Sequence, residues 1–268
     1  SILDHSDAAK IRIYVCALGA SRRCPQTSRP GPDSGAGTAL TGKLVSVVIP
    51  ALNEEARIGH VIEQLRADNS AAFEIIVVDG GSTDRTVAIA RGLESKIVVS
   101  PPGRGHQIAA GAATAKGDVL WFLHVDSQVS GGTLAAVRQA VDGDRRSGGN
   151  FRVIFDGDGA FAEWLTGFYA WFRRRGLYYG DSGVFIRRDV YDEIGGVQPM
   201  ALMEDYDLTR RMERFGGTCC IDTPAIVTSS RKFQGRRPIG IVLGWIRIHA
   251  LYRLGVKPER LARIYYGR

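Results

Sequence analysis

Residues 118–126 read DVLWFLHVD. The apolar run 119–123 reads as a buried strand, and it leads straight into His124 and Asp126, two metal-capable side chains at alternate positions. In an extended backbone residues i and i+2 project to the same side, so both are expected to face one ligand at the strand's carboxyl end. Open α/β sheets bind their ligands at that end.

The sequence on either side supports such a sheet. Upstream, 44–49 is a β-branched apolar run, and Asn53-Glu54-Glu55 opens a helix with Ile58, Val61, Ile62 and Leu65 at helical spacing. Strands at 73–78 and 97–99 alternate with helices near 83–92 and 105–115. Units of this length predict parallel strands joined by right-handed crossovers, hence an α/β fold with a mostly parallel central sheet flanked by helices. Downstream the pattern loosens. It predicts a helix near 132–141, a strand near 150–155, an aromatic-rich helix near 160–174, a strand at 184–186, a helix at 204–215 and short strands at 218–221 and 226–228. This second half is expected to build an acceptor side.

Residues 1–43, rich in Gly, Pro, Ser and Thr toward their end, read as a disordered extension or linker, and 44–268 as one domain with a basic C-terminal tail. The formal charge is +7, yet from Ser230 to Arg268 ten Lys or Arg face one acid, Glu259. A face so basic suits nucleic acid, anionic lipid or a diphosphate, and equally a solvated helix surface. No nucleic-acid motif accompanies it. In 238–256 the longest uncharged run, 238–246, is far short of a membrane span. The expected location is cytoplasmic, at the inner face of the membrane if Trp245 and Tyr252 sit at headgroup level. Neither Cys16 and Cys24 nor Cys219-Cys220 has metal-site spacing, so free thiols are expected.

Other stretches carry candidate chemistry. After the first strand, Pro50, Ala51, Asn53 and Glu54 stand where a helix cap or a nucleotide contact belongs. After the second, Asp79, Gly80, Ser82 and Asp84 make either a ribose and base pocket or an Asp-Gly turn with a serine cap. Arg104, in a glycine-rich loop, is either a phosphate contact or a solvent-exposed side chain. A diphosphate needs a hard divalent cation, Mg²⁺ or Mn²⁺, held by one or two protein oxygens. Asp126 suits it; His124 is either a ligand or a hydrogen-bonded structural histidine. Glu204 and Asp205 either suit the helix dipole or furnish a general base beside the roomy loop Gly180-Asp181-Ser182-Gly183.

Taken in order, these stretches resemble a family 2 glycosyltransferase of the GT-A fold over about 44–268. His124-x-Asp126, Gly180–Gly183 and Ser229-Ser230-Arg231 look most like the bacterial radical-SAM/selenodomain-associated subgroup. The resemblance implies an inverting transfer from a nucleoside diphosphate sugar to a hydroxyl acceptor. Pro50, Ala51, Asn53 and Glu54 would contact the nucleotide, Asp79 the base or ribose, and Asp126 the metal. Asp205 would be the base, Glu204 would place a hydroxyl, and Arg231 would neutralise the departing diphosphate. The usual Asp-x-Asp is His-x-Asp here, and Ser182 stands where the subgroup tends to have Gln. The aromatic-rich helix 159–175 and the basic tail suggest a lipid-like acceptor met at a membrane surface, or simply a core helix with a charged end. A non-catalytic nucleotide-sugar binder and a sugar nucleotidyltransferase are the rival readings.

Overall fold

The computed structural model describes residues 43–142, 145–157, 159–230, 233 and 238–267. The extension expected over 1–43 therefore lies, apart from Lys43, outside the described residues.

The strands are β1 (Val45–Ala51), β2 (Phe73–Asp79), β3 (Lys96–Val99), β4 (Val119–Phe122), β5 (Gly148–Phe155), β6 (Phe185–Arg187) and β7 (Thr218–Thr228). The helices are α1 (Ile58–Ala67), α2 (Thr86–Gly92), α3 (Arg104–Thr114), α4 (Thr133–Asp142), α5 (Ala160–Arg173), α6 (Arg188–Glu193), α7 (Glu204–Phe215), α8 (Pro238–Arg253) and α9 (Pro258–Tyr266).

One seven-stranded sheet runs in the order β3-β2-β1-β4-β6-β5-β7. The first four are mutually parallel, β6 is antiparallel to both its neighbours, and β5 pairs parallel with β7. Strands β1, β2 and β4 are buried on both faces over most of their length, as their continuous apolar runs require, whereas β3 is the partly exposed edge. Val47, Ile49 and Trp121 face one core layer under α1 and α4, while Val48, Leu120 and Phe122 face the other under α3 and α7. The four α1 positions singled out by spacing, Ile58, Val61, Ile62 and Leu65, are its buried ones.

Three expectations are corrected. The helix after β1 starts at Ile58 rather than at Asn53, because Asn53 takes a left-handed φ of 54° that no helix continues. The two short strands expected near the end are one strand, β7, with a register shift against β5 between Phe151 and Val153. Pro224 lies in the shifted stretch and has no amide to give a ladder. Cys219 is disulfide-bonded, whereas Cys220 is a buried free thiol.

The topology gathers chain at one edge. β1, β2, β3 and β4 all end there, and because β6 runs antiparallel to β4, the turn 180–183 that feeds β6 also lies there.

Candidate active site

Two groups of the anticipated residues occupy that edge. The first follows β1 and β2. The Asn53 amide donates to Ser82 Oγ at 2.9 Å, and the Thr83 amide donates to Asn53 Oδ1 at 2.9 Å, so the two loops are stitched face to face. Asn53 caps no helix. Asp79, almost fully buried, accepts the amides of Gly81 and Ser82, both at 3.1 Å, which is the Asp-Gly turn. Ser82 is not the cap of α2, whose N-cap is Arg85 without a side-chain bond. Asp84 accepts the Thr86 hydroxyl and amide and the Glu55 amide, so it ties the α2 start to the β1 loop. The Thr86 hydroxyl foremost, against a small burial effect, holds the Asp84 carboxyl below its usual range. Pro50 and Ala51 close β1. The Ala51 carbonyl accepts Gly80 N–H and, at 2.7 Å, Gln107 Nε2, which also donates to the Val78 carbonyl. No sequence pattern signals this latch across the ends of β1 and β2. Glu54 binds Arg57.

The second group lies around β4 and α7. His124 and Asp126 are not in extended backbone: β4 ends at Phe122, and the Ser127 amide bonds the His124 carbonyl at 3.1 Å to close a turn. Arg104 reaches this turn, Nη1 donating to His124 Nε2 at 3.2 Å, while its Nε pairs with Glu204 Oε1 at 2.9 Å. A guanidinium has only donors, so Nε2 must be the acceptor. That bond uses the Nε2 lone pair, the ring nitrogen's route to a metal. Arg104 is thus only partly exposed, and two side chains engage its guanidinium. Gly105 makes the approach: a Cβ there would lie 2.9 Å from the Met200 amide nitrogen, in the loop leading to α7.

Asp205 is held by two amides, Gly180 N–H to Oδ2 at 2.8 Å and Tyr206 N–H to Oδ1 at 2.7 Å. Gly180 is wedged between functional groups, for a Cβ on it would be 2.9 Å from His124 Nε2 and 3.3 Å from Asp205 Oδ2. Asp181 accepts the Tyr169 hydroxyl at 2.9 Å; Ser182 Oγ donates to the Tyr179 carbonyl; Gly183 takes φ 60° where a Cβ would strike Ile226. Met203, just ahead of Glu204, has φ 72°, a left-handed conformation uncommon for a non-glycine residue and costly enough to be a mark of function. No side chain caps α7, so Glu204 and Asp205 spend their oxygens on Arg104 and Gly180 instead.

Burial, and then the charge of Asp205, push the Glu204 carboxyl up to about 7, with Arg104 pulling the other way. Burial alone would weaken the Arg104 charge, but Glu204 and Asp205 outweigh it, and the guanidinium holds its proton more firmly than usual.

A cavity of about 100 Å³ holds Arg104, Asp181, Glu204 and Asp205 along with Tyr169 and Tyr179. Its far wall is the C-terminal tail: Trp245 and His249 of α8 and Tyr265 of α9. His249 Nε2 bonds the Tyr179 hydroxyl at 2.8 Å, and burial, then Arg253, push its imidazole down to about 4, so it is neutral at pH 7. None of these tail residues was anticipated as part of the site; for Trp245 and His249 the reason is that α8 carries apolar residues around most of its circumference. Arg231 lies outside the described residues.

Asp126 is half-buried at the turn and makes no hydrogen bond or ion pair with the described residues. Among those residues no three His, Cys, Asp or Glu gather as a metal centre. A lone carboxylate still fits Mg²⁺ or Mn²⁺, which take their other ligands from phosphate and water.

The profile of Glycosyl transferase family 2 matches residues 46–196. The glucosyl-3-phosphoglycerate synthase of Mycolicibacterium smegmatis is 38% identical over 98 residues, 33% of this chain and 32% of that protein, so the alignment spans about a third of the relative's length. The M. tuberculosis glucosyl-3-phosphoglycerate synthase, crystallised with Mn²⁺, UDP-glucose and phosphoglyceric acid, superposes with a TM-score of 0.58 at 21% identity, covering 86% of this chain and 87% of the other. S. aureus TarS 1–349 with UDP-GlcNAc gives 0.56 at 17% identity over 70% and 58%. The sheet and its flanking helices are those of the GT-A fold, and with more than half its length under the profile this chain belongs to glycosyl transferase family 2.

Proposed function

We propose that this chain transfers a sugar from a nucleoside diphosphate sugar to a hydroxyl acceptor, with inversion and with a divalent cation. One observation carries the reading: Asp205, Glu204 and Arg104 line one cavity, and Arg104 reaches from it to His124 at the carboxyl end of the parallel strands. Asp205 is the base. The acceptor oxygen attacks C1 of the sugar, the bond from C1 to the diphosphate oxygen breaks, and the acceptor proton passes to Asp205. One in-line displacement inverts the anomeric carbon. The two amides on Asp205 fix its carboxylate in one orientation, which is what such a step demands.

Glu204, pinned by Arg104, positions a hydroxyl. The loops carrying Pro50, Ala51, Asn53, Glu54, Asp79, Gly80 and Ser82 form the nucleotide side, with Asp84 ordering them. Asp126 would hold Mg²⁺ or Mn²⁺, which when bound offsets diphosphate charge; Mn²⁺ in the mycobacterial neighbour supports this. Arg231 is assigned the leaving diphosphate. The UDP-sugars bound by both neighbours favour a uridine donor. Exposed Ile239, Leu243, Ile246 and Leu254 beside Arg247 and Arg253 favour an amphiphilic acceptor met at an anionic membrane surface, and the Gly180–Gly183 form the radical-SAM/selenodomain-associated subgroup. No helix among the described residues is long and apolar enough to cross a membrane.

The test is turnover of a panel of nucleoside diphosphate sugars with Mn²⁺ or Mg²⁺ and water as acceptor, read as released nucleoside diphosphate. Slow metal-dependent hydrolysis of one donor is expected. Binding without release, even with alcohols added, would make the chain a nucleotide-sugar binder, and failure to bind any donor would remove the reading.

A further inference from the structure

The C-terminal helices enclose a second cavity, about 370 Å³, beside the candidate active site. Phe233, Trp245, Ile248 and Tyr265 wall both, so the two adjoin. The rest of the second wall is Gly240, Ile241, Gly244 and Ile264, with Arg247 as its one described charge. We propose, building on the transferase reading above, that this groove holds the apolar chain of the acceptor while the acceptor's hydroxyl lies beside Asp205.

Four observations converge on that occupant. The walls are aliphatic, aromatic or glycine, a surface that gains by covering hydrocarbon and offers little to a sugar or a free phosphate. Arg247 supplies a cation for an anionic headgroup on the same chain. Gly240 and Gly244, one turn apart in α8, are unfavourable inside a helix, and packing does not require them: a Cβ on either meets nothing within 4 Å. What the two glycines provide is width. Asp181, Glu204 and Asp205 in the adjoining cavity, facing one arginine among the described residues there, also favour an uncharged hydroxyl at the reacting end over a phosphorylated acid.

The experiment is calorimetric titration of the full chain with n-alkyl β-glucosides from ethyl to dodecyl, kept below their micellar concentrations, with donor binding and hydrolysis read in parallel. Affinity should rise about fourfold per added methylene until the groove is filled. Gly244→Leu, whose Cβ meets nothing within 4 Å, narrows the groove and should collapse the ratio of long-chain to short-chain affinity, whereas Leu254→Ser on the outer surface should preserve it. A flat series in the wild type, or a Gly244→Leu series matching the wild type, overturns the groove. If the donor is bound and hydrolysed, that result leaves the transferase reading standing; if the donor is not bound, the transferase reading falls by itself, whatever the chain series gives.

Discussion

Arg104 Nε and Glu204 Oε1 lie 2.9 Å apart, joining the first turn of α3 to the first turn of α7. The same guanidinium bonds His124, so one side chain ties the central strand's exit to the acidic helix start. Arg104 is partly exposed and Glu204 is not. The pair therefore stands at the boundary between cavity and core, where a carboxylate is costly to bury even with a partner.

Glu204 gives a pH signature. Its folded carboxyl titrates near 7, against 4.5 for an ordinary glutamate. The folded chain keeps a proton there that the unfolded chain releases, so this group makes stability fall as pH rises across that window, by at most about 1.4 kcal/mol per unit. Glu204→Gln should flatten that slope. Denaturant midpoints of both proteins at pH 5 and 7.5 check it, and parallel slopes would contradict the raised carboxyl.

The central α/β architecture was legible because continuous apolar strands and helical spacing each bury a definite face; α7 was delimited from the sequence at both ends. The turn at 124–127 was hidden because the apolar run continues through Leu123 and Val125, past the end of the ladder. The Arg104–Glu204 pair was hidden for another reason. It spans a hundred positions and depends on Gly105 letting the loop near Met200 approach α3, a contact that no local pattern encodes. His249 was missed because α8 shows no single apolar stripe from which its inner face could be read.

Gly180 is sterically committed. Ala in its place would put a methyl against His124 Nε2 and Asp205 Oδ2. We expect Gly180→Ala to lower kcat about a hundredfold through misplacement of the Asp205 carboxylate, while donor affinity holds. Single-turnover rates alongside nucleotide binding measure this; an unimpaired kcat would free Gly180 of that role.

Removing Asp126 tests the cation. Asp126→Ala should abolish the Mn²⁺ dependence of donor binding and leave metal-free nucleotide binding as it was. Titration of the nucleotide with and without Mn²⁺ separates the two, and an undiminished Mn²⁺ effect would place the ion elsewhere.

The outer face of α8 exposes Ile239, Leu243 and Ile246 at 64%, 58% and 51%. Wild-type protein should co-sediment with anionic vesicles, less so at high salt because the tail's arginines are screened. Leu243→Asp should weaken the association with little change in the melting temperature, since more than half of that residue is exposed. Equal recovery with neutral and anionic vesicles would argue against the electrostatic part.

The final prediction separates the two adjacent carboxylates. Asp205 is oriented by amides and lines the cavity; Glu204 is tied to Arg104. If Asp205 takes the proton, Asp205→Asn keeps the amide contact of Gly180 through its carbonyl oxygen yet loses basicity, and transfer should drop by about 10² to 10⁴ at unchanged donor affinity. Glu204→Gln retains a hydrogen-bonding group for the acceptor hydroxyl and leaves the Asp205 side chain in place, so its loss should fall mainly on acceptor KM. A reversal, with Glu204→Gln silencing the chemical step and Asp205→Asn sparing it, would assign the proton to Glu204, and the pH–rate profile of the surviving Asp205→Asn variant would then keep the Glu204 inflection, moved down by the loss of the Asp205 charge.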